Sequence, residues 1–82
     1  MATTAAFVMI NTQTGKEQTV LNLIKKIPEV KEAHLVFGVY DLVVRVGCKG
    51  ADDLKRVISD IRIIKSLQAT LTIIVLPDPN SS

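Results

Sequence analysis

Apolar residues recur along the chain with two different periods, and each change of period marks an element. Ala6-Phe7-Val8-Met9-Ile10-Asn11 is a short apolar run bounded by Thr, Gln and Gly, which predicts a first strand, β1, buried on both faces. Val20, Leu23, Ile24 and Ile27 follow at i, i+3, i+4 and i+7, the stripe of a helix α1 whose Glu17, Asn22, Lys25 and Lys26 stay in water. Thr14-Gly15-Lys16-Glu17 has the form of a capping box, with the Thr hydroxyl accepting a first-turn amide and Glu17 reaching back to the cap. Pro28 then stops the helix. Val30 to Phe37 carries Ala33, Leu35 and Phe37 on one side and Glu32 and His34 on the other, a strand β2. Gly38-Val39-Tyr40-Asp41 is a turn-like link to Leu42-Val43-Val44-Arg45-Val46, strand β3, so β2 and β3 predict an antiparallel hairpin. Beyond Gly47 and Gly50, Asp52 and Asp53 suit a helix N-terminus, and Leu54, Val57, Ile58 and Ile61 repeat the helical stripe in α2, which fades near Ser66. Thr70 to Leu76 is the last strand, β4, and Pro77 opens a polar tail that cannot continue it.

The order βαββαβ is that of a ferredoxin-like α+β fold: a four-stranded antiparallel sheet with both helices on one face. At 82 residues there is room for a single domain, 1–82, of which 78–82 is tail. Side chains alternate along a strand, so those under the helices leave the others pointing away. If Val8, Ile10, Leu35, Val44, Val46, Leu71, Ile73 and Val75 lie beneath the helices, the uncovered face carries Phe7, Met9, Val43, Ile74 and Leu76, with His34, Arg45, Thr70 and Thr72 among them. That face is too apolar for water, and the expectation is a homodimer packed sheet to sheet through Phe7, Met9, Val43, Arg45, Ile74 and Leu76.

Composition narrows the chemistry. Branched aliphatics fill 27 of the 82 positions, which excludes a disordered chain. A net charge of +2, with Lys and Arg scattered, does not make a nucleic-acid surface. No apolar run approaches the roughly 20 residues that cross a bilayer, and the Met1-Ala2-Thr3-Thr4 start lacks the basic segment of a secretory signal, so a cytoplasmic location is expected. Cys48 has no partner for a disulfide, and His34 has no companion at ligand spacing; neither metal, cofactor nor catalytic residues are expected. Ser59 and Ser66 lack a neighbouring base, and Gly15-Lys16 lacks the upstream Gly of a phosphate loop. Gly38-Val39-Tyr40-Asp41 is the most informative tetrapeptide. Its amides suit a carboxylate and Asp41 an ammonium, the two ends of a small zwitterion; the plainer alternative is that Asp41 caps local amides of the hairpin.

With these elements placed, the chain resembles the effector-binding domain of the leucine-responsive regulatory protein/AsnC family. The resemblance rests on Gly38-Val39-Tyr40-Asp41, supported by Pro28-Glu29-Val30-Lys31-Glu32-Ala33 and by Ala69-Thr70-Leu71-Thr72. It implies a stand-alone version, without the helix-turn-helix that binds DNA, and therefore no direct nucleic-acid binding. It further implies a sheet-to-sheet dimer that assembles into a larger ring, commonly of four dimers, with an amino-acid effector between neighbouring dimers. Gly38, Val39, Tyr40, Asp41, Ala69, Thr70 and Thr72 would line that cleft. Mixed oligomers with full-length regulators of the family are the implied partners. Phe37 stands where such domains often carry Thr. Competing readings are a regulatory module of the ACT type with its ligand at Asn11 to Gly15, a small enzyme of the dimeric α+β barrel type, and a structural subunit without ligand.

Overall fold

Strict alternation along the central strands decides which way the sheet faces. In the computed structural model, which describes residues 4–76, Ala6, Val8, Ile10 and Thr12 of β1 (Thr4–Thr12) are buried, as are Leu42, Val44, Val46 and Cys48 of β3 (Leu42–Cys48). The intervening residues are only half-buried, so β1 has one covered and one open face rather than two covered ones. Helix α1 (Glu17–Ile24), strand β2 (Val30–Leu35), helix α2 (Ala51–Arg62) and strand β4 (Leu67–Val75) complete the order βαββαβ. The strands lie in the order β2-β3-β1-β4 with every neighbouring pair antiparallel, which is the expected ferredoxin-like α+β arrangement.

The core is a single cluster in which Val20, Leu21 and Ile24 of α1 and Leu54, Val57 and Ile61 of α2 meet the inward residues of β1 and β3. Both helices therefore cover the same side of the sheet. The stripe of α1 is rotated from the expected one: Leu21 is buried and Leu23 is exposed. The start of α1 differs too. Glu17 reaches back, but to the amide of Gly15 at 3.0 Å, and Thr14 caps nothing; Lys16 occupies the cap position without a side-chain bond. The turn that feeds the helix runs through Gly15 at φ +88°, a left-handed angle open to glycine, and this displaces the helix start past the predicted box.

Strand β4 has the opposite facing from the one expected. Pairing Val8 with Thr72, Ile10 with Thr70 and Ala6 with Ile74 places those three β4 residues on the helix side, while Ala69, Leu71, Ile73 and Val75 share the open face with Asn11, Met9, Phe7 and Ala5. Ile74 and both threonines are thus not open-face residues, and Leu76 follows the strand at 80% exposure. The register with β1 decides the facing, and it shifts at a bulge between Asn11 and Thr12.

Candidate functional site

The link between β2 and β3 spans residues 36–41 and is closed by the Val36 amide donating to the Asp41 carbonyl at 2.9 Å. It does not stand free. The Asp41 amide donates to the carbonyl of Ile10 at 2.9 Å, and the Asn11 side-chain amide donates to the carbonyl of Val39 at 2.8 Å. The Thr12 amide donates to Asp41 Oδ2 at 2.9 Å. The end of β1 is in turn joined to the start of β4 by the Asn11 and Ala69 pairing and by the Gln13 amide, which donates to the Ser66 carbonyl at 2.8 Å. Three segments distant in sequence therefore converge at one end of the sheet, with Asn11 between the hairpin and Ala69.

Asp41 does not cap amides of its own hairpin as in the plainer alternative: its Oδ2 accepts from the Thr12 amide of β1, and its Oδ1 makes no hydrogen bond among the described residues. The amides of Phe37, Gly38, Val39 and Tyr40 likewise have no partner there. Gly38 does not have a left-handed backbone, and a Cβ built on it meets nothing within 4 Å. Phe37 and Val39 project into solvent at 107% and 85% exposure, so the loop presents an apolar tip above polar backbone. Chemically, this end offers unpaired amide donors, one half-buried carboxylate with a spare oxygen, and the carboxamide of Asn11. In the sequence Asn11 enters only as the start of an ACT-type ligand loop; nothing local marks it for this site, because its place here comes from the contact with Val39 across 28 residues.

Of the remaining predicted ligand residues, Ala69 lies at this end on the open face, whereas Thr70 and Thr72 point to the helix layer. Phe7, Met9, Val43 and Arg45 occupy the open face, next to Leu71, Ile73 and Val75, which are each 44% exposed. Toward β2 that face becomes polar: Arg45 Nε donates to Glu32 Oε2 at 2.6 Å, and His34 Nε2 is 3.4 Å from Glu32 Oε1. The Arg45 hydrogen bond, then that of His34, lowers the pKa of Glu32 below its usual value.

At the far end of the sheet a hollow of about 330 Å³ is lined by Glu29, Lys31, Cys48, Lys49 and Asp53 among others. Arg56 already pairs with Glu29, Asp53 and Asp60, and the Lys49 amide donates to Asp53, so the carboxylates here are largely engaged by one guanidinium, while Glu29 Oε1 is screened from solvent with no partner among the described residues. Burial, then Asp53 and Glu29, pushes the Cys48 thiol up, which leaves it a poor nucleophile. Among the described residues there is no cluster of three His, Cys, Asp or Glu able to hold a metal ion, and no helix long and apolar enough to cross a membrane.

Residues 5–82 match the family described as Lrp/AsnC ligand binding domain. The chain is 32% identical over 71 residues to the HTH-type transcriptional regulator FL11 of Pyrococcus furiosus, a match covering 87% of this chain and 47% of that protein. Among solved structures it superposes on FFRP-DM1 with a TM-score of 0.85 at 39% identity, covering 89% of this chain and 99% of the other. It also superposes on Escherichia coli AsnC with a TM-score of 0.84 at 31% identity, covering 93% of this chain and 52% of that one. The chain thus spans about half the length of the curated relatives it matches.

Proposed function

Since the chain belongs to the Lrp/AsnC ligand-binding family, we propose that it is a non-enzymatic sensor of amino acids that acts by changing the assembly state of regulators. The single observation that carries this reading is the convergence of unpaired amides, the spare oxygen of Asp41 and the Asn11 carboxamide at one end of the sheet. An amino acid needs both kinds of partner, donors for its carboxylate and an acceptor for its ammonium. In this reading Gly38, Val39, Tyr40 and Asp41 supply the binding groups, with Asn11 and Ala69 beside them. A second copy closes the cleft, because in one copy the hairpin end lies open. Thr70 and Thr72 drop out of the site on account of their facing.

Copies associate through the open face, where Phe7, Met9, Val43, Leu71, Ile73 and Val75 form a continuous apolar surface bordered by Glu32, His34 and Arg45. A ligand bridging two such dimers favours the assembled state by its differential affinity, and mixed assemblies with full-length regulators would carry that signal to transcription. Calorimetric titration with the twenty amino acids, run beside light scattering, tests this directly. Heat with a change of assembly size is expected for at least one amino acid; none at millimolar ligand would leave a purely structural subunit. Asp41→Asn retains an acceptor for the Thr12 amide and removes the charge, so it should fold as the parent and lose roughly 10- to 100-fold in affinity, the value of a hydrogen bond to a charged group. Unchanged affinity would place the ligand elsewhere.

A further inference from the structure

On the helix side, α2 and the outer strand β4 leave a groove of about 470 Å³ lined by Lys55, Ile58, Ser59, Arg62, Thr72 and Ile74. Lys55 and Arg62 stand at i−4 and i+3 from Ser59, about one helical turn away in either direction along α2, and all three line the groove. Arg56 on the same helix meets three carboxylates, yet neither Lys55 nor Arg62 has an ion pair among the described residues. Across the groove Thr72 holds a side-chain oxygen that is screened from solvent and has no hydrogen-bond partner among the described residues. A buried hydroxyl in that state is costly and calls for a partner. Ile74, on the helix side but 51% exposed, and Ile58 supply an apolar wall beside these polar groups.

We infer that the groove between α2 and β4 binds a small oxyanion carrying a short aliphatic tail. The headgroup sits over Ser59 between the ammonium of Lys55 and the guanidinium of Arg62, all three being hydrogen-bond donors. A χ1 rotation turns the Thr72 hydroxyl toward the same oxygens, and the tail covers Ile58 and Ile74. A volume near 470 Å³ admits a branched-chain carboxylate with room to spare. This site is independent of the hairpin end, from which it differs in face, in elements and in charge.

The test is a titration of the isotope-labelled full chain, followed by NMR, with 4-methylpentanoate, 4-methylpentan-1-ol and inorganic phosphate as probes. Saturable shifts are expected at Ser59, Thr72 and the Ile58 and Ile74 methyls with 4-methylpentanoate. The uncharged alcohol should bind at least tenfold more weakly. Displacement by phosphate at higher concentration supports the same headgroup position. The double variant Lys55→Gln, Arg62→Gln changes two exposed side chains and should weaken the carboxylate at least tenfold with an otherwise unchanged spectrum. Thr72→Val removes the unpartnered hydroxyl; it should raise the melting temperature of the free protein while lowering carboxylate affinity severalfold. Asp41→Asn should leave this midpoint where it was, which separates the groove from the hairpin site. Non-saturating shifts, equal binding of the alcohol, or a midpoint unmoved in the double variant would overturn the inference.

Discussion

Replacing Ile73 by Lys is the sharpest probe of how this sheet is used. Ile73 lies opposite Phe7 on the open face and is 44% exposed in a single copy, so a lysine there can extend into water without disturbing the helix-side core. Fully burying an aliphatic side chain contributes about 1.5–3 kcal/mol, so covering the remaining exposed part of Ile73 is worth roughly 1 kcal/mol in each copy. The same holds for Leu71 and Val75, which are equally exposed. Six such side chains in a two-fold interface supply on the order of 5 kcal/mol before the costs of association. Ile73→Lys removes part of that gain and also forces an ammonium out of water in each copy, a further cost of several kcal/mol per charge. The variant is therefore expected to sediment as a folded monomer at micromolar concentration, where the parent sediments as a dimer or larger. Ile74→Lys is the matched control, since Ile74 faces the helix layer and should leave association intact. Sedimentation velocity with circular dichroism on both variants decides the matter. If Ile73→Lys is folded and still associates like the parent, or if Ile74→Lys alone dissociates, the open face is not the contact surface.

Other consequences concern stability. Ile10 is fully buried on the inner strand β1, and Ile10→Ala should cost about 2–5 kcal/mol in a urea titration, as large-to-small core changes do. Because Glu32 has a lowered folded pKa, its pairing stabilises the protein above the ordinary glutamate value of 4.5 and loses that contribution as pH falls through the lower folded value. Urea midpoints of the parent and Arg45→Gln should accordingly differ at pH 7 and converge as the pH falls below 4.5.

How much of this was legible in the sequence depends on how many partners each feature needs. The helical stripe of α2 and the inward set of β3 follow from periodicity, because one apolar face against one core leaves little choice of phase. In the shorter α1 Leu21 and Leu23, two positions apart, compete for the stripe, and packing selected Leu21. The hairpin of residues 38–41 was recognisable as a candidate site, but its attachment to Asn11 and Thr12 was not, since hydrogen bonds across 28 or 29 residues leave no local mark.

Strand β4 shows where reading by pattern ends. Thr70-Leu71-Thr72-Ile73-Ile74-Val75 has apolar residues in both phases, and the pattern points Leu71, Ile73 and Val75 inward and Thr70, Thr72 and Ile74 outward. The element order, and with it the ferredoxin-like class, was determined by the sequence alone, because turns, stops and periods are local properties of the chain. Which face of β4 meets the helices was decided only by its pairing with β1: a strand has a two-residue period, and a displacement of one position in register sends every side chain to the other side. That choice put Leu71, Ile73 and Val75 on the open face, and it left the Thr72 hydroxyl unpaired beneath α2.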